Sequence, residues 1–224
     1  MIALRLPTAA LILAALACAP AALGASGPDN PDPQYRWKQT PHAPMLERLL
    51  PPAITAAQLP EPQSDGARLT VKYCVQCHYL ASPGMHPAER WPLVTDRMVW
   101  RMEGNGNLGT LMKELMAGVV APSPAETATL VAYLQRHALT PIDSARYPDL
   151  AQPEGRAFEI ACSQCHAAPD PKMHTSREWP KVVERMQRHM GWANRVVGEP
   201  KQRTHPVLDT KAILRFLQRH ARTA

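Results

Sequence analysis

The chain contains one of its own segments twice, and this constrains its fold more than any other feature. A displacement of 88 positions aligns residues 68–102 with 156–190 without a gap, and 14 of the 35 positions are identical. Cys74-Val75-Gln76-Cys77-His78 falls on Cys162-Ser163-Gln164-Cys165-His166. Pro83, Met85, His86, Trp91 and Pro92 fall on Pro171, Met173, His174, Trp179 and Pro180. Val94, Arg97, Met98 and Met102 fall on Val182, Arg185, Met186 and Met190. Farther on, Leu134-Gln135-Arg136-His137-Ala138 recurs as Leu217-Gln218-Arg219-His220-Ala221 at an offset of 83, so five residues are missing from the second copy. Such repetition predicts a duplicated domain, residues 64–138 and 154–224, joined by a proline-punctuated linker over 139–153.

Each copy reads as helices joined by irregular loops. Apolar residues at helical spacing predict helices over 66–73, 88–102 and 125–137, with counterparts over 154–161 and 209–220. Thr175-Ser176-Arg177-Glu178 has the form of a capping box before the helix that carries Trp179. No segment alternates convincingly enough for a strand, so the expected class is all-α. Residues 27–62 carry nine prolines, which predicts an extended tether over 25–63 with a short helix around 45–50 ended by Pro51-Pro52. At the start, Arg5, the apolar run 11–23 and the small residues Ala22, Gly24 and Ala25 read as an export signal over 1–24. A rival reading makes Cys18 the acylated residue of a lipoprotein signal. No other segment is apolar enough to span a bilayer.

Composition limits the function classes. Glycine-rich phosphate loops and nucleophile elbows are absent, which argues against nucleotide enzymes and hydrolases. The 25 basic and 19 acidic residues are scattered without a run or an aromatic ladder, so nucleic acid is not an expected partner. Aromatic residues make up only 5% of the chain, thin for two self-sufficient cores. Something other than Phe and Tyr is expected to fill the interior.

Four of the five cysteines lie in the two Cys-x-x-Cys-His motifs, the attachment signature of c-type heme. Two thiols three positions apart on a helical turn each add across a vinyl group of one porphyrin edge, and the adjacent histidine presents a ring nitrogen to the iron. A disulfide would leave the repeated histidine unexplained, and a thioredoxin-like pair requires a βαβ context. Zinc could use both pairs, but the duplication gives each pair its own surroundings. The expected cofactors are therefore two heme c groups, one held by Cys74, Cys77 and His78, the other by Cys162, Cys165 and His166. A large apolar macrocycle also supplies the missing core.

Each iron then needs a ligand on its other face. Met98 and Met186 stand 20 residues beyond His78 and His166, and Met102 and Met190 follow one helical turn later on the same face. A thioether there favours ferrous iron and raises the potential relative to a second histidine. His86 and His174 are expected to hydrogen-bond backbone or a propionate, with a distal-ligand role as the alternative. Arg97 and Arg185 either pair with propionates or extend into solvent. Trp91 and Trp179 are expected beside the heme, while Trp100 and Trp192 have no counterparts and suggest no role.

With these residues in view, the chain resembles a diheme cytochrome c built from two small class I-like domains. The block Trp91…Met98, repeated as Trp179…Met186, is similar to the heme subunits of sulfite dehydrogenases and the c-domains of quinohemoproteins. That resemblance implies Met98 and Met186 as axial ligands, and Tyr133-Leu134 and Phe216-Leu217 match the family's apolar-aromatic pair on the closing helix. It covers about 64–138 and 153–222 and leaves out the proline-rich extension. Two departures keep other ligands open. Met116, in Met-Ala-Gly-Val, resembles the ligand loop of mitochondrial-type cytochromes, while the second copy holds His205 there, which would give bis-histidine ligation.

The resulting expectation is a periplasmic one-electron relay between redox proteins, such as a dehydrogenase, a terminal oxidase or another cytochrome. The alternatives are a diheme redox enzyme, peroxidase-like or oxidising sulfur compounds, and the electron-accepting subunit of a periplasmic dehydrogenase complex.

Overall fold

The computed structural model describes residues 35–197 and 208–223. The signal reading at 1–24, Cys18, the first part of the extension and His205 lie outside the described residues. Eight helices occur among them: α1 (Ala43–Leu49), α2 (Asp65–Cys74), α3 (Trp91–Met102), α4 (Gly109–Met116), α5 (Pro124–Arg136), α6 (Pro153–Cys162), α7 (Trp179–Val197) and α8 (Thr210–His220). Short 3-10 turns join them, and the described residues form no strand beyond three isolated bridges. The protein is all-α, and no helix among these residues is long and apolar enough to cross a membrane.

Helix starts follow from local chemistry. Ser64 Oγ accepts from the Ala67 N–H at 3.2 Å to cap α2, and Asp209 Oδ1 accepts from the Ala212 N–H at 2.9 Å to cap α8. Ser123 and Glu126 form a full capping box at α5, where Pro124 stands in the first turn and needs no N–H partner.

Two separate apolar clusters form. The first joins Ala67 and Val71 of α2, Trp91 of α3, and Leu130, Tyr133 and Leu134 of α5. Here α2 crosses α5 so closely that a Cβ at Gly66 would fall 2.3 Å from Tyr133 Cβ, so only glycine allows the approach. The second joins Phe158 of α6, Trp179 of α7, and Ile213, Phe216 and Leu217 of α8. Phe158 and Phe216 stack at 4.9 Å with both rings fully buried.

The structure corrects the tether reading for residues 35–63. Trp37 is 1% exposed, and Ile54, Ala56 and Leu59 belong to the first cluster. The Tyr133 hydroxyl donates to the Pro60 carbonyl at 2.7 Å, closing the segment onto α5. The prolines stiffen a stretch that packs, lowering the entropy lost when it is ordered. The linker differs from expectation in the same way, since Tyr147 and Leu150 are buried in the second cluster.

The α5 cap is pH-sensitive. Glu126 accepts from the Ser123 N–H at 2.9 Å, the Tyr73 hydroxyl at 2.8 Å and Lys72 Nζ at 3.0 Å. These bonds, the backbone one first, lower its pKa from 4.5 to about 2. A depressed carboxylate stabilises the fold fully above its unfolded pKa and loses that contribution as pH falls through the folded value. The gap in thermal midpoint between wild type and Glu126→Gln is therefore expected to narrow from pH 4.5 down to pH 2. A gap that stays constant across that interval would contradict the assignment.

Candidate functional site

Both Cys-x-x-Cys-His motifs sit at the same structural junction. Cys74 ends α2 and Cys162 ends α6, and the next residues share one conformation, Val75 at φ −89°, ψ −2° and Ser163 at φ −89°, ψ 1°. No disulfide joins the four motif cysteines. Burial, helped by Cys77, pushes the Cys74 thiol up to about 12, and burial alone takes Cys162 to about 12. Among the described residues no group of three or more His, Cys, Asp or Glu side chains gathers at metal-ligand spacing.

The histidines are oriented alike. His78 Nδ1 lies 2.8 Å from the Tyr79 carbonyl, and His166 Nδ1 lies 2.8 Å from the Ala167 carbonyl. A carbonyl only accepts, so Nδ1 carries the proton and Nε2 keeps its lone pair in both copies. An outer hydrogen bond that fixes the ring tautomer is what an iron-binding imidazole requires. Together with two adjacent thiols, this donor set fits a covalently attached heme.

The other repeated residues are also held alike. Trp91 Nε1–H donates to the Pro83 carbonyl and Trp179 Nε1–H to that of Pro171, each at 2.9 Å. Their indole N–H groups are thus committed to backbone. The His86 ring meets Trp91 edge-on at 5.1 Å and the His174 ring meets Trp179 at 4.8 Å. Burial lowers the pKa of both imidazoles. Arg97 is exposed, whereas Arg185 is half-buried with no partner for Nε.

Met98, Met102, Met186 and Met190 lie half-buried along α3 and α7. Met116 is brought to the first motif, with Sδ 3.5 Å from Cys77 Sγ. The extension holds it there. Arg36 donates to the carbonyls of Ala117, at 2.7 Å, and Gly118, and His42 Nε2 meets Glu114 Oε2 at 2.7 Å on α4. Gly118 adopts φ +70°, and a Cβ there would fall 2.8 Å from the Arg36 guanidinium, so the clamp requires glycine twice over. Lys38 sits over the rings of Tyr35, Trp37 and Tyr79, covering the residue next to His78.

The linker runs between the two motif loops. Leu139 N–H donates to the His86 carbonyl at 2.9 Å, Asp170 N–H to that of Thr140 at 2.7 Å, and Ile142 N–H to that of Ala168 at 2.8 Å. The His166 ring consequently contributes to the lowered pKa of His86, across the two copies.

Two residues escaped sequence reasoning. Trp192 donates through Nε1 to the Leu49 carbonyl at 3.2 Å, joining α7 to α1. His189 lies half-buried on α7 with its Nε2 enclosed and unpartnered. It aligns with Arg101, so a search restricted to identities passes over it; its place three residues after Met186 was the available signal. No family profile, curated protein or solved structure matches this chain.

Proposed function

We propose that this chain is an exported diheme c-type cytochrome that relays single electrons between redox proteins, with two cytochrome c-like domains around one covalent heme each. The observation that carries the reading is the pair of matching constellations: two thiols at a helix end, then a histidine whose Nδ1 is bound to the following carbonyl at 2.8 Å.

When bound, each heme supplies one iron that alternates between ferric and ferrous states. The residues would do the rest. Cys74 and Cys77, and Cys162 and Cys165, hold a porphyrin edge through thioethers. His78 and His166 present Nε2 to the iron. Met98 and Met186 are the symmetric choice for the opposite face, with Met116 the rival at the first site because it lies beside Cys77. Arg185, a half-buried cation whose Nε has no partner among the described residues, suits a propionate. The linker's hydrogen bonds to both motif loops support transfer within one molecule. Because residues 35–63 pack on their own chain, that part of the extension is not free to wrap a partner.

The test is an optical redox titration of the mature protein, repeated with carbon monoxide on the reduced form. Two low-spin hemes that ignore carbon monoxide are expected. Uptake of carbon monoxide by one or both irons would overturn the carrier reading and favour an enzyme.

A further inference from the structure

The two sites are not equivalent in what surrounds them, and one difference falls on α7, where His189 stands in place of Arg101. Arg185, Met186, His189 and Met190 fall at helical spacing that brings them to neighbouring positions on the helix surface. Burial of a thioether says little, since sulfur packs readily among apolar groups. Burial of an unpartnered imidazole nitrogen says more, because the lost hydration must be returned by some other bond. His189 Nε2 is enclosed in this way, and so is Arg185 Nε four residues earlier. A cation-to-anion contact and a nitrogen-to-metal bond side by side would satisfy both. The propionates and iron of one heme offer that pair of partners.

His189 lies on α7, whose Trp179, Val182 and Val183 share a cluster with Cys162 of the second motif. Burial first, then Arg185, Arg188 and His166, hold its pKa below 6.5. The first copy has Arg101 at the matching position, which cannot serve as a ligand. In that copy it is Met116 that approaches a motif cysteine, at 3.5 Å from Cys77 Sγ.

We infer that His189 is the distal ligand of the second heme iron, opposite His166, so that this site is bis-histidine while the first keeps a thioether. The inference rests on the diheme reading above and replaces Met186 as ligand, leaving it a packing residue. The bond is a donation of the Nε2 lone pair and needs no co-reactant. Imidazole stabilises ferric iron better than a thioether does, so the second heme takes the lower potential. Electrons then run from the second domain towards the first.

The experiment uses the full chain produced in a host that matures c-type cytochromes. Intact mass first counts the hemes; a chain carrying none overturns the diheme reading itself, and this inference with it. With two hemes present, near-infrared magnetic circular dichroism of the oxidised wild type is expected to count one methionine-ligated and one bis-histidine heme. Two methionine-ligated hemes would overturn the inference while leaving the diheme reading intact, and this result needs no variant. His189→Ala is expected to take up one carbon monoxide per chain when reduced, where the wild type takes none, and added imidazole should restore the low-spin spectrum. Met186→Ala is expected to keep the wild-type spectrum. If Met186→Ala opens the iron and His189→Ala does not, the assignment is wrong.

Discussion

Replacing Cys74 and Cys77 together by serine is expected to halve the covalently bound heme and leave the second heme spectroscopically unchanged. The reciprocal change at Cys162 and Cys165 should spare the first. The two motifs end different helices, α2 and α6, and each helix packs into a different cluster. The first cysteine of each motif, Cys74 or Cys162, packs against its own cluster, and the two clusters share no residue. Serine keeps the size of the side chain and removes only the sulfur that would form the bond. Intact mass under denaturing conditions provides the count. Unchanged heme content would remove the attachment reading of the motif, and loss of both hemes would show that the halves mature as one unit.

The second large effect is on stability. Phe216→Ala is expected to cost about 3–5 kcal/mol, the usual range for deleting a fully buried aromatic ring. Phe216 is 0% exposed, stacks on Phe158 at 4.9 Å and touches the rings of Tyr147 and His220. No neighbour can collapse into so large a space without breaking those contacts. A loss of that size is a sizeable part of the roughly 5–15 kcal/mol that holds a domain folded. Denaturant unfolding followed by tryptophan fluorescence should show an earlier transition for the half that carries Trp179. Tyr133→Phe gives the contrast in the other half: it keeps the ring and loses one hydrogen bond to Pro60, worth about 1 kcal/mol. Equal effects from the two substitutions would refute the burial argument.

The corrected extension changes what the first site depends on. Arg36 and His42 reach the segment that follows and includes α4, and Lys38 covers Tyr79. The second copy has no equivalent of this strap among its described residues, which is one physical source of inequivalence between the two sites.

Helix positions were legible in the sequence because their causes are local. The capping residues Ser64, Ser123 and Asp209, the apolar spacing and the flanking prolines all act within a turn or two, and α2, α5, α6 and α8 fall within about a residue of the expected spans. The α4 helix was missed: it buries no residue fully, and its apolar positions lie between glycines that obscure the period. The thin aromatic supply goes largely to the interior: Trp37, Tyr73, Trp91, Tyr133, Tyr147, Phe158, Trp179 and Phe216 are buried, eight of the twelve aromatic residues.

By itself the sequence determined the duplication, the helical class and the six residues of the two motifs, since each is written as a repeat or as spacing along the chain. Tertiary structure alone decided which side chains meet across distance. Arg36 reaches Gly118 over 82 positions, Met116 reaches Cys77 over 39, and Trp192 reaches Leu49 over 143. It also left His189 Nε2 enclosed without a partner. Such contacts carry no period and no motif, because they are set by how two clusters and a packed extension exclude water together.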